Sequence, residues 1–126
     1  MDKLDEVVFY NMAKALWDNC WDDTTKMIED VRGKEIVRQM IRSVGSIAAN
    51  IEEGYGRGYG KEYPQFLRIA RGSARESKGW YNRSKFLLAE NIIENRVQTI
   101  DSIIAMLNKS IQTLEQKIKD GKNYKK

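Results

Sequence analysis

Histidine is absent from this 126-residue chain, cysteine occurs once, at Cys20, and proline once, at Pro64. The first absence removes the usual general base near neutral pH and the commonest metal ligand, and a single thiol can form neither an internal disulfide nor a thiolate cluster. Zinc sites and Ser/His or Cys/His triads are therefore excluded, no catalytic, metal or cofactor constellation is assigned, and a non-enzymatic role is expected. Long apolar runs are also missing. Nothing approaches the roughly 20 residues that span a bilayer, and the acidic start MDKLDE lacks the basic and apolar regions of a signal peptide. No membrane partner and a cytoplasmic location are expected. Strand signals are lacking too, since no stretch alternates apolar and polar residues with Val, Ile and Thr enriched.

What is present is a composition for one folded domain, taken as 1–126: 41% hydrophobic residues, 32% charged, and a net charge of +4. The charge is unevenly spread. Residues 1–32 carry 8 acids and 4 bases, a net −4, whereas residues 33–126 carry 10 acids and 18 bases, a net +8. Such a field attracts polyanions. A solvated helix surface, or a patch that docks the acidic first segment of a neighbouring copy, accounts for it equally well.

Apolar spacing divides the chain into four helices. Ile93, Val97, Ile100, Ile104, Leu107, Ile111, Leu114 and Ile118 form a heptad seam that predicts a long helix over about 94–119, ended by Gly121 and a Lys-rich tail. Val37, Met40, Ile41, Val44, Ile47, Ala48 and Ile51 predict another over about 34–53, with Gly33 and Gly54 as the breaks on either side. A third, over about 61–89, has Pro64 in its first turn and small residues Gly72, Ser73, Ala74 and Ser77 at its middle, where another helix axis could approach closely. The first, over about 4–21, bears two apolar stripes, Phe9, Met12, Ala13, Leu16 and Cys20 on one and Tyr10, Trp17 and Trp21 on the other. Two stripes need two partners, so Trp17 and Trp21 are placed at or near a subunit interface, which favours such residues; a wide core face is the alternative. Between the first two helices, Asp23 or Thr24 is a candidate cap for a short extra helix. The fold expected is an all-α, antiparallel up-down four-helix bundle.

The Gly54 to Gly60 loop has glycine at every second position, which fits neither the dinucleotide fingerprint nor the P-loop, and no strand precedes it. Its two tyrosines and Arg57 could still stack on unpaired bases and contact phosphate, although a plain turn explains the glycines too. The sharper feature is on the third helix. Arg68, Arg71, Arg75, Lys78, Asn82 and Lys85 step by three and four along one face, read as lying opposite the apolar seam, with charges about 5 Å apart and no acid among them. With Arg57, the five basic members, Arg68, Arg71, Arg75, Lys78 and Lys85, are the candidate nucleic-acid contacts. On the second helix Ser46, Asn50 and Glu53, with Ser43 in the same stripe and Arg42 beside it, are candidate structural groups that bond across helices or subunits. Cys20 sits among apolar neighbours and is assigned no chemistry.

These residues also carry a resemblance. Gln39, Arg42, Ser46-Ile47, Asn50-Ile51, Glu53-Gly54, Gly56-Arg57 and Glu62, followed by Phe66-Leu67, Ile69-Ala70, Gly72-Ser73 and Glu76, resemble the bacterial four-helix-bundle proteins encoded in intervening sequences of 23S ribosomal RNA genes. Relatives of that family are the accessory variability determinant proteins of diversity-generating retroelements. Departures are Ala48, Glu52, Gly58 and Gly60, the last two making this loop less basic and shifting the expected contact to the Arg68–Lys78 stripe. The resemblance implies a ring-like homopentamer with a basic surface, and as partners a second copy, RNA and, as in the retroelement relatives, a reverse transcriptase. A protein adaptor with no direct nucleic-acid role is the competing expectation.

Overall fold

The computed structural model describes residues 2–57 and 60–121. After a short 3-10 turn at Lys3–Glu6 come four helices, α1 (Val8–Met27), α2 (Val31–Arg57), α3 (Glu62–Arg83) and α4 (Glu90–Lys119), and the described residues contain no strand. Each helix packs on its chain neighbour and α4 closes back on α1, giving an antiparallel four-helix bundle. The readings that fall on Gly58, Tyr59 and the Lys-rich tail lie outside the described residues.

The core follows the heptad seams. Leu16 and Cys20 from α1, Met40, Val44, Ile47 and Ile51 from α2, Leu67, Ala70 and Tyr81 from α3, and Ile100, Leu107 and Ile111 from α4 are buried together. Ile103 joins them, while Ile93, Val97 and Ile118, nearer the ends of α4, are half-buried. Gly121 has the positive φ of 74° expected after a helix end, and its N–H donates to the carbonyl of Ile118 at 3.0 Å.

Three local expectations are corrected. Gly33 and Gly54 do not break α2; both lie inside it. A Cβ on Gly33 would sit 1.9 Å from the carbonyl oxygen of Met27, and one on Gly54 2.7 Å from Cβ of Phe66, so these glycines let neighbouring segments approach. Asp23 and Thr24 cap nothing, since α1 runs through both to Met27. The cap is Asp30, whose Oδ1 accepts from the backbone N–H groups of Arg32 at 2.7 Å and Gly33 at 3.3 Å. The Arg32 guanidinium first, then that backbone N–H, holds the Asp30 carboxyl below its usual range. Finally, α3 stops at Arg83 and α4 starts at Glu90, and Gly72 faces open space while Ser73, Ala74 and Ser77 meet α2 or the core.

Candidate nucleic-acid interface

The antiparallel register of α3 on α4 decides what the basic stripe can do. Arg68, Arg71 and Lys78 do not lie opposite the seam; they are half-buried along its edge, beside α4. There Asp101, Asn108 and Glu115 recur every seventh residue and run past them in reverse order. Lys78 Nζ pairs with Asp101 at 2.8 Å, Arg71 donates to Asn108 Oδ1 at 2.8 Å, and Arg68 forms an ion pair with Glu115. Two of the stripe's charges are thereby compensated from the neighbouring helix. Arg57 is compensated as well, 3.6 Å from Glu53 and 3.9 Å from Glu62, with its guanidinium 5.4 Å from the Phe66 ring.

What stays uncompensated lies further along. Arg71 is held by a neutral amide, and Arg75 is exposed and has no ion-pair partner among the described residues. Lys85 stands 5.3 Å from the ring of Phe86, which is 86% exposed, and Arg83 lies 4.9 Å from the Trp80 ring. Cations beside exposed aromatic faces are the combination that grips phosphates and stacks on unpaired bases. Trp80 and Phe86 were not singled out in the sequence; Trp80 and Arg83 stand three apart on the last turn of α3, whereas Phe86 lies beyond its end.

The polar stripe of α2 faces α3. Ser73 Oγ donates to Ser46 Oγ at 2.9 Å, Ser77 Oγ to Ser43 Oγ at 3.1 Å, and Asn50 donates to Ser46 Oγ at 2.8 Å, while Arg42 pairs with Glu76. On the other side of α2, Trp17 packs against Gly45, and Trp21, 62% exposed, lies 6.3 Å from Trp17 between ring centres. Trp17 borders an open groove of about 590 Å³ lined also by Ala48, Ala49, Lys14, Asp18 and Glu52, whereas Trp21 borders a separate one with Ile28, Val37 and Ile41. Glu52 accepts the Tyr10 hydroxyl at 2.7 Å, and that hydrogen bond, with burial second, pushes the phenol up to about 12.

One buried cluster had no signal in the sequence. Asp23 accepts the Tyr81 hydroxyl at 2.7 Å and a two-pronged bond from Arg96, at 2.8 and 3.0 Å, tying α1 to α3 and α4. Beside it, burial pushes the Cys20 thiol up to about 11, which keeps it protonated and unreactive. No described helix is long and apolar enough to cross a membrane.

Residues 5–109 match the family model described as 23S rRNA-intervening sequence protein. Among solved structures, a protein of unknown function from the S23 ribosomal protein family of Bacteroides thetaiotaomicron is similar at 19% identity and a TM-score of 0.73, over 82% of this chain and 97% of that one. That likeness carries the fold. No curated protein matches.

Proposed function

The chain belongs to the 23S rRNA-intervening sequence protein family, and on that premise we propose that it is a non-enzymatic, homo-oligomeric scaffold that binds RNA through cations of α3 and of the turn that follows it. The observation that carries this reading is the set of charges left over after the helices have packed: Arg71, Arg75 and Lys85, with Phe86 exposed beside the last. Each such contact is weak and salt-sensitive, but copies of the chain side by side would present the same set repeatedly to one strand. The neighbouring Trp17 and Trp21 rings, each bordering an open groove on α1 and α2, support self-association, and the reading leaves a reverse transcriptase as a protein such an RNA-holding scaffold would serve.

A second reading has its own support. Because Glu115 and Asp101 neutralise Arg68 and Lys78, the α3–α4 edge presents paired charges suited to a protein partner, as an adaptor with no nucleic-acid role. The two are separated by an Arg71→Glu, Arg75→Glu, Lys85→Glu variant titrated with single-stranded RNA. The scaffold predicts lost binding and a salt slope shallower by about 0.7 per cation removed. An Arg68→Gln, Glu115→Gln variant keeps its affinity. Equal affinity of the folded triple variant and the native protein would overturn the proposal in favour of the adaptor.

A further inference from the structure

Where α1 and α3 begin and α2 and α4 finish, the four helices leave an open cavity of about 400 Å³, within the range of small-molecule sites, about 300–1,000 Å³. Its buried lining is apolar or aromatic: Phe9, Tyr63 and Leu114. Tyr55 meets Tyr63 edge to face, ring centres 5.8 Å apart at 89°. Lys109 stands exposed at the mouth without an ion-pair partner among the described residues, Ser110 is next to it, and the lining contains no carboxylate. The larger groove on α1 and α2 differs in that Asp18 and Glu52 outnumber Lys14 there.

An apolar, ring-lined interior with one cation at its entrance selects a flat ring bearing one negative charge. A phosphate monoester, with about −1.5 to −2 charges and three acceptor oxygens, would leave much of its charge unmet by a single ammonium. We propose that this cavity binds a small aromatic carboxylate, its ring against Tyr55, Tyr63 and Phe9 and its carboxylate on Lys109 Nζ and the Ser110 hydroxyl. The Thr113 hydroxyl donates to the Lys109 carbonyl at 3.0 Å and serves the helix instead. The site is separate from the uncompensated cations of α3 and does not depend on the RNA reading.

Calorimetric titration of the full chain tests this, with indole-3-acetate as probe and indole and adenosine monophosphate as comparators. Indole-3-acetate should saturate the protein, Lys109→Met should weaken it about tenfold, the lower end for a lost charged hydrogen bond at an exposed group, and Lys109→Arg should restore it. Indole should bind weakly and alike in all three, and Arg75→Met should leave indole-3-acetate unaffected. No saturation at millimolar concentration, equal affinity of Lys109→Met and the native chain, or tighter binding of the monophosphate than of the carboxylate would each overturn the proposal.

Discussion

Asp23 shows how much one side chain can fix in a bundle this small. Its carboxylate, 7% exposed as a residue, is shared by Tyr81 and Arg96, so α1 meets α3 and α4 in one register only, because any slide leaves a desolvated charge without its partner. Cys20, one turn earlier, gives this region a pH dependence. Its thiol rises from 9.0 to about 11 on folding. Below pH 9 both states are protonated and the stability is fully present; above it the unfolded thiol ionises while the folded one does not, and stability is lost until about pH 11. Unfolding free energy from urea titrations should therefore fall by about 1 kcal/mol between pH 8 and 9.5 through this thiol, and Cys20→Ala should remove most of that fall. Tyr10 acts only at higher pH, since its pKa moves from 10.0 to about 12. None of this could be read from the sequence. Asp23 resembles a helix cap there, and its partners are 58 and 73 residues away.

At the scale of elements, the small residues of α2 and α3 set the distance between the two helices. Serine hydroxyls pair across the contact, and Gly54 admits Phe66 and Tyr63 against the α2 backbone. Gly54 and Gly72 should respond to alanine with opposite signs. Gly54→Ala forces a Cβ into Phe66 and should cost about 1–3 kcal/mol. Gly72→Ala meets nothing within 4 Å and should gain about 1 kcal/mol from helix propensity. Thermal or urea unfolding of the two variants checks both. The four helices themselves were legible because each carries a 3.6-residue apolar period long enough to outweigh local breakers. Their ends were less so. A glycine at the margin of an apolar run reads the same whether it stops a helix or admits a neighbour, and only the packing of Met27 on Gly33 and Phe66 on Gly54 separates the two.

Over the whole molecule, charge is sorted by packing as well as by sequence. The unbroken basic stripe visible in α3 becomes, once α4 is laid beside it, a row of compensated groups at Arg68 and Lys78 and an uncompensated set around Arg71, Arg75 and Lys85. The polar partners responsible, Asp101, Asn108 and Glu115, recur every seventh residue in α4, a pattern that acquires meaning only when the two helices are known to run antiparallel. The stripe was thus visible early, but which of its members could reach a partner depended on tertiary register. On this account the protein's affinity for RNA comes from a few free cations multiplied by assembly. Light scattering after size exclusion, with and without single-stranded RNA at low and moderate salt, tests that most directly. The account predicts a multimer that gains mass with RNA and releases it as salt rises; a monomer, or a multimer whose mass is unchanged by RNA at low salt, would contradict it.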